Sequence, residues 1–436
     1  MLTVNENKRT LLKDGKPFFY LADTCWSAFT SIEETEWVYY LKKRKSQGFN
    51  TLQINILPQW DRSIGSFDML PFAMDENGKF DFTNIDDAYF ERARKMSQIA
   101  TEEGFSLALV VLWSNYVPGT WASEMDNRNV MPISFLEGYL KRVVAAFNEF
   151  SPIYLVSGDT DFPTDETKEM YERALDYLSE NAQDCLKTLH IRGRLEEIPE
   201  ELAKKIDLYL YQSGHNSSFL NMPYYLAKVF HDLSPKKPVI NSEPCYEQMG
   251  YSRNVYGRFS QRDTRRAAWQ SVLSGACAGV TYGAHGIWSW QEIDSNYSSA
   301  AGEAFDLPLL WQDALKLPGA WDYGYLRNIL ELFDVSELEP CNDLLMDVDE
   351  QVRFAKAVSK DCYVLYIPSN TTVKVNCVFS NYSIKLIDLK TKNFIHPKYF
   401  VKDNVTTFLM HSCEEDVVII IKGQGDRFPR PTEKCQ

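Results

Sequence analysis

The sequence lacks the features that mark membrane and secreted proteins. No apolar run in its 436 residues approaches the ~20 residues that a membrane-spanning helix needs. Residues 1–19 contain no continuous apolar core of the kind found in a secretory signal. The nine cysteines are odd in number and form no CxxC pair, which predicts reduced, mostly buried thiols. These absences together predict a cytoplasmic protein.

The sequence also lacks the motifs of several enzyme classes. It contains no HExxH, no GxSxG, no Walker phosphate loop and no HxH after the first predicted strand. Its six histidines show no metal-ligand spacing. We therefore expect neither a catalytic metal nor a cofactor.

Positive charge is in the minority. Lysine and arginine number 46 against 60 acidic residues, so the net charge is −14 and the isoelectric point is near 5.1. Nucleic acids and anionic membranes bind basic surfaces, so neither is an expected partner. This composition leaves the oligomeric state open.

Most of the chain is predicted to form an α/β barrel. Eight short apolar strands alternate with helical patterns, which favours a (β/α)8 barrel, with an open doubly wound sheet as the alternative. A capping box at Ser31 and Glu34 is predicted to start the first helix. The predicted strands are 18–22, 51–57, 106–112, 153–157, 188–192, 208–211, a strand ending at Glu243, and 279–283.

The last quarter of the chain has a different sequence pattern. Short strand-like segments separated by turns predict a small all-β sandwich. The predicted domains are therefore a barrel over 1–338, a β-sandwich over 339–425 and a flexible tail over 426–436.

Two acidic residues follow predicted strands where a barrel carries its chemistry. Glu243 ends the seventh strand, because Pro244 cannot donate to a sheet, and Asp159 follows the fourth. Strands four and seven lie on opposite sides of a barrel, so these side chains are expected to meet across its mouth. Two carboxyls are what glycoside hydrolysis needs. Each acid alone is equally consistent with a helix cap or an ion-pair partner.

Other polar and aromatic residues also fall near the ends of predicted strands. They are candidates for sugar binding, although tryptophan and histidine on barrel loops serve as often in packing. Cys25 and Cys245 flank the predicted site and are interpreted as packing groups. The candidates are Asp23, Trp26, Asn55, Trp60, Trp113, Asp161, Tyr211, His215, His285 and Trp288.

Five stretches, in order along nearly the whole chain, resemble the apiosidase-type glycoside hydrolases. EPxYE and YGAHGIW are the most specific parts of the resemblance. Members of that family combine a (β/α)8 hydrolase with a C-terminal β-domain often described as collagen-binding. The stretches are GKPFFYLADTCWSAF (15–29), GFNTLQINILP (48–58), YLVSGDTD (154–161), NSEPCYE (241–247) and TYGAHGIWSW (281–290).

The resemblance implies a retaining glycosidase that acts on a plant or bacterial oligosaccharide. Glu243 would be the nucleophile and Asp159 the acid/base. The family usually ends its fourth strand in GGD, whereas this chain has SGDTD, so Asp161 competes with Asp159 for the acid role. The alternatives are a non-catalytic carbohydrate-binding protein and, from the name of the β-domain alone, a matrix-binding protein.

Overall fold

The computed structural model describes residues 1–251, 255–297, 307–335 and 337–423. The predicted tail, 426–436, lies outside these ranges. No helix in the described part of the chain is long and apolar enough to cross a membrane.

Eight parallel strands form the sheet at the centre of the molecule. They are hydrogen-bonded in the order β5-β4-β3-β2-β1-β8-β7-β6. Between β5 and β6, the amide of Asp207 donates to the Lys187 carbonyl at 2.8 Å, and this bond closes the ring. The strands are β1 (Tyr20–Thr24), β2 (Thr51–Asn55), β3 (Ser106–Trp113), β4 (Ile153–Gly158), β5 (Lys187–Thr188), β6 (Tyr209–Tyr211), β7 (Val239–Asn241) and β8 (Gly279–Tyr282). The predicted barrel is confirmed.

The fifth strand is shorter than the predicted 188–192. After Gly158, Asp159 adopts a left-handed φ of 46°, which diverts the end of β4 from the regular ladder. Pairing resumes only at a bridge between Thr160 and Ile191. His190 therefore lies in an irregular segment beside the barrel mouth.

Helices connect the strands and cover the outside of the barrel. Their apolar faces pack on β-strands that are buried along both sides, as expected for a parallel sheet. The helices are α1 (Ala28–Ser31), α2 (Glu34–Ser46), α3 (Asp87–Glu102), α4 (Trp121–Met125), α5 (Ile133–Phe147), α6 (Asp165–Asn181), α7 (Glu200–Ala203), α8 (Met222–Asp232), α9 (Gln261–Val272), α10 (Trp311–Ala314) and α11 (Gly319–Phe333).

The capping box predicted for the first long helix is wrong by two residues. Ser31 is buried in the short helix α1 and ends it. The box that starts α2 is formed by Glu33 and Glu36, whose side chains each accept from the other's backbone amide. The helix therefore begins where the chain emerges from the barrel surface.

Smaller antiparallel elements decorate the barrel. Leu2–Val4, Leu11–Lys13 and Lys16–Phe18 form a three-stranded sheet, in which Asp14 and Gly15 make the predicted turn with φ of 52° and 77°. A second hairpin pairs Phe72–Met74 with Phe80–Ile85.

The C-terminal region is all-β, as predicted. One sheet has the order β9-β11-β12-β18-β14-β15 and the other β10-β13-β17-β16. Their strands are β9 (Leu338–Pro340), β10 (Leu345–Met346), β11 (Arg353–Ala357), β12 (Cys362–Ile367), β13 (Val373–Val375), β14 (Ser383–Asp388), β15 (Phe394–Ile395), β16 (Tyr399–Lys402), β17 (Val405–Phe408) and β18 (Val417–Lys422). The exact domain limits stay a prediction.

The two regions share a packed and charged interface. Tyr366 of β12 stacks on Trp269 of α9 with ring centroids 6.3 Å apart. Beside this pair, Arg265 is almost fully buried between carboxylates from both regions. Its guanidinium lies 2.8 Å from Asp322 of α11 and 2.5 Å from Asp416. These charges satisfy one another only when the β-region is docked on the barrel.

Replacing Arg265 with methionine is expected to lower the free energy of unfolding by about 3–5 kcal/mol, because buried carboxylates would then lack their counter-ion. Urea unfolding of the whole chain measures this loss. Arg173→Met, which removes an exposed pair with Glu169 on α6, should cost at most about 0.5 kcal/mol. Equal effects of the two substitutions would contradict the assigned importance of the buried cluster.

Candidate active site

Glu243 lies two residues beyond the end of β7, at the carboxyl-terminal mouth of the barrel. The prediction that this strand ends at Glu243 is wrong by two residues, because β7 already ends at Asn241, before Pro244 is reached. The side chain is nearly buried, and both of its oxygens receive imidazole nitrogens. His190 Nε2 lies 3.0 Å from Oε2, and His215 Nε2 lies 2.8 Å from Oε1. The carboxylate is therefore fixed in orientation.

The surroundings of the two imidazoles explain why both donate to Glu243. The backbone amide of Tyr246 donates to His215 Nδ1 at 3.3 Å, so the ring proton of neutral His215 lies on Nε2. His190 Nδ1 lies 2.8 Å from the Ser242 hydroxyl, which itself donates to the Tyr211 carbonyl at 3.2 Å. Both imidazoles are thus held through Nδ1 while Nε2 of each faces the carboxylate of Glu243.

These donors set the charge of Glu243. Burial by itself would raise the pKa of Glu243, but the hydrogen bonds from His190 and His215, together with their electrostatic attraction, outweigh burial and lower the pKa to about 2. The Tyr246 hydroxyl, which accepts from the Trp26 indole at 3.2 Å, also hydrogen-bonds Glu243. Glu243 is therefore ionised throughout the physiological pH range.

Asp159 has the opposite environment. Burial raises the pKa of Asp159 well above its usual value, and the charges of Glu243 and Asp61 raise it further. The two sequence-predicted acids therefore lie close enough for the charge of Glu243 to raise the pKa of Asp159. The backbone of Asp159 is held by the Trp121 indole, which donates to its carbonyl at 2.7 Å. Gly158 precedes it because any Cβ there would overlap the Trp113 ring.

Asp161 is engaged elsewhere. One carboxylate oxygen accepts from Arg192 at 2.8 Å and the other from the Trp121 amide at 3.3 Å. With both oxygens occupied, Asp161 is less suited than Asp159 to exchange a proton with substrate.

Aromatic rings line the same mouth. Trp26 lies 5.2 Å from Trp113 and 5.4 Å from the His190 ring, measured between centroids. Trp60 meets Trp121 edge to face at 5.9 Å. Trp26 and Trp113 are almost fully buried, whereas Trp60 keeps partial exposure and can offer its face to a ligand.

Three of the predicted binding residues point into the protein rather than the pocket. Asp23 is fully buried and accepts from Tyr40 at 2.6 Å and Arg44 at 2.7 Å. The Tyr211 hydroxyl donates to the Pro223 carbonyl at 2.8 Å, under α8. The buried Asn55 amide donates to Gln59 at 3.0 Å. These three contacts serve the scaffold.

The loop after β8 holds His285 and Trp288 together. The Trp288 indole donates to His285 Nδ1 at 3.1 Å, and the two rings lie nearly parallel. The thiols of Cys25 and Cys245 are buried, which raises the pKa of both, to about 12 for Cys245. Both are protonated and act as packing groups.

The second glutamate of the EPxYE stretch anchors the loop that carries Glu243. Glu247 Oε2 accepts from the Tyr282 hydroxyl at 2.6 Å and from the Gly319 amide at 2.8 Å. These bonds tie the loop to β8 and to the start of α11. The position of Glu243 thus depends on a second, structural carboxylate.

Sequence reasoning missed three residues of this pocket. His190 was hidden inside a predicted strand, Tyr246 was read only as part of a motif, and Asp61 was passed over in a long loop. A polar residue at the end of an apolar strand is the signal that would have singled out His190.

Solved structures share this architecture. A glycoside hydrolase matches with a TM-score of 0.80 and 20% identity, over 98% of each chain. A glycoside hydrolase family 5 protein from Bacteroides vulgatus ATCC 8482 matches with a TM-score of 0.80 and 21% identity, over 99% of this chain and 94% of that chain. A putative glycoside hydrolase from the same organism has a TM-score of 0.69 and 16% identity, over 97% and 82%. No curated protein is matched.

A barrel of this type that is matched by a catalytic-domain family model defines the chain as a glycosidase. A family model described as "Apiosidase-like, catalytic domain" matches residues 5–337. The chain belongs to this apiosidase-like family, and its substrate is a carbohydrate.

The raised pKa of Asp159 predicts how this residue affects the stability of the folded protein at different pH values. A carboxyl whose pKa is raised in the folded protein destabilises the fold at pH values above that pKa, and the cost disappears once the group is protonated in both states. Asp159→Asn is therefore expected to raise the melting temperature at pH 8, but not below the usual pKa of 3.8. Asparagine also tolerates the left-handed φ.

Thermal unfolding at pH 8 and at pH 3 measures this difference. Asp161→Asn is the matched control, because it removes the partner of Arg192 and should not stabilise the protein. An unchanged or lower melting temperature for Asp159→Asn at pH 8 would contradict the assigned environment.

Proposed function

We propose that the protein is a retaining glycoside hydrolase that cleaves a plant or bacterial oligosaccharide by double displacement, with Glu243 as nucleophile and Asp159 as acid/base. The observation that supports this most is the opposite protonation of the two carboxyls in one pocket: the pKa of Glu243 is lowered to about 2 and that of Asp159 is raised. Acid and nucleophile need these opposite states.

The low pKa of Glu243 favours a nucleophile over a general base. An inverting enzyme uses its second carboxylate to remove a proton from water, and a carboxylate with a pKa near 2 is a weak base. The same carboxylate can attack the anomeric carbon, and it is a good leaving group when the ester is hydrolysed. The imidazole donors that orient it also stabilise it as it departs.

The first step transfers the sugar to Glu243. One Glu243 oxygen bonds to the anomeric carbon as the glycosidic bond breaks, and Asp159 gives its proton to the leaving oxygen. Formation of the ester removes the negative charge of Glu243, which had helped to keep Asp159 protonated. The pKa of Asp159 therefore falls when it must become a base.

The second step releases the sugar. Asp159 accepts a proton from water as the water oxygen attacks the anomeric carbon, and Glu243 leaves as a carboxylate. Two inversions give net retention of the anomeric configuration. A protein that only bound carbohydrate would not require oppositely protonated carboxyls facing each other, so the arrangement favours turnover over binding alone.

The stereochemical outcome is the first test of this mechanism. Proton NMR of a reaction on the most rapidly cleaved aryl glycoside is expected to show the retained anomer before mutarotation. Release of the inverted anomer first would contradict a covalent intermediate on Glu243.

Substitution of the two carboxyls separates their roles. Glu243→Gln should abolish turnover, whereas Asp159→Asn should slow substrates with poor leaving groups by about 10²–10⁴-fold and activated aryl glycosides much less in the first step. Glu180→Gln, an exposed glutamate near the end of α6, serves as the control and should leave kcat unchanged. Full activity of Glu243→Gln would remove Glu243 from the mechanism.

A further inference from the structure

A third carboxylate, Asp61, lies at the same pocket without an assigned role. It follows Trp60 in the turn beyond β2. The charge of Asp61 raises the pKa of Asp159, and the charge of Glu243 raises that of Asp61, so all three carboxyls lie near one another. Trp60, the residue before Asp61, contacts Trp121 edge to face. The Trp121 indole in turn donates to the Asp159 carbonyl.

The Asp61 carboxyl is incompletely satisfied. Its Oδ1 is shielded from solvent and has no hydrogen-bond partner in the structure. Burial raises the pKa of Asp61 to about 7, with a further contribution from Glu243. A buried oxygen that accepts no hydrogen bond lowers the stability of the folded protein. At a functional site, such an oxygen indicates where a hydrogen-bond donor of a ligand binds.

The neighbouring carboxylates differ from Asp61 in this respect. Both oxygens of Glu243 receive imidazole nitrogens, and both oxygens of Asp161 receive protein donors. Those two groups are fixed by the protein, whereas Asp61 keeps an acceptor for a group that arrives with substrate.

We propose that Asp61 binds substrate by accepting hydrogen bonds from hydroxyl groups of a neutral sugar, and that it thereby selects the sugar beside the cleaved bond. This inference rests on the proposed hydrolase function. Hydroxyl groups are the donors that every neutral glycoside carries, and the partly exposed Trp60 ring beside Asp61 offers a face for the sugar's C–H groups.

The same geometry disfavours acidic sugars at this position. Above pH 7, where Asp61 is mostly ionised, a uronate carboxylate near Asp61 would be brought close to the charges of Glu243 and Asp61 in a partly desolvated site, where like charges repel strongly. The inferred substrate class is therefore a glycoside whose sugar at this position carries hydroxyls and no carboxylate.

Kinetics on defined probes test the contact. The panel is a set of 4-nitrophenyl glycosides of neutral pentoses and hexoses with the corresponding uronides, followed by monodeoxy analogues of the best substrate. At pH 8, where Asp61 is mostly ionised, Asp61→Ala is expected to lower kcat/KM on that substrate by about 10- to 100-fold, in line with loss of hydrogen bonds to a charged acceptor. Asp61→Asn keeps one acceptor oxygen and should therefore lower kcat/KM by a smaller factor than Asp61→Ala.

The deoxy analogues distinguish binding from a structural effect. One analogue should lower kcat/KM for the wild type but cause little further loss in Asp61→Ala, because the contact is already gone. Asp184→Asn, an exposed aspartate just before β5 at the opposite end of the barrel, is the control for the charge change and should behave as wild type. Equal losses for every analogue in both enzymes, or unchanged kinetics of Asp61→Ala, would overturn the inference.

Binding gives a readout that does not need turnover. On an array of plant and bacterial oligosaccharides, Glu243→Gln should bind neutral glycans, and Glu243→Gln combined with Asp61→Ala should lose them. If the wild type hydrolyses no probe while array binding still depends on Asp61, the proposed function fails and the Asp61 contact stands. The proposed contact is overturned if the protein binds no glycan on the array, or if binding does not change when Asp61 is replaced. A preference of the enzyme for uronides would also overturn it.

Discussion

The site depends on two imidazole N–H groups that point at one carboxylate. His190 and His215 come from different strand ends, yet each places Nε2 within 3.0 Å of a separate oxygen of Glu243. Their other ring nitrogens are fixed by Ser242 and by the amide of Tyr246. This arrangement keeps a nearly buried carboxylate ionised. The barrel makes it possible, because the ends of parallel strands bring distant parts of the chain to one mouth.

The charge held on Glu243 also governs its neighbours. With Glu243 ionised, a proton on Asp159 is favoured, and the left-handed backbone at Asp159 follows the end of β4 at Gly158. Glu247 ties the loop that carries Glu243 to α11, and Arg265 ties α9 and α11 to the β-region through Asp322 and Asp416. The C-terminal sandwich is thereby connected, through buried polar contacts, to the elements that support the site.

Much of the fold was predictable because its signals are local. Apolar runs ended by polar residues marked the barrel strands, although β7 ends at Asn241 rather than at the predicted Glu243. The structural role of Asp23 could not be predicted from local pattern, because its hydrogen-bond partners Tyr40 and Arg44 lie on helix α2. His190 was obscured since strand β5 ends early, after the turn at Asp159 interrupts pairing. Asp61 lies in a loop, where sequence pattern carries no information on which side chains converge.

The central claim is that one pocket holds two carboxyls in opposite protonation states. Carbon-13 NMR of protein labelled at the side-chain carboxyls, with Glu243→Gln and Asp159→Asn used for assignment, measures both titrations directly. The account predicts that Glu243 titrates at about pH 2 and that Asp159 titrates well above pH 3.8, with its pKa falling in Glu243→Gln. Two carboxyls that both titrate near pH 4, independently of each other, would contradict it.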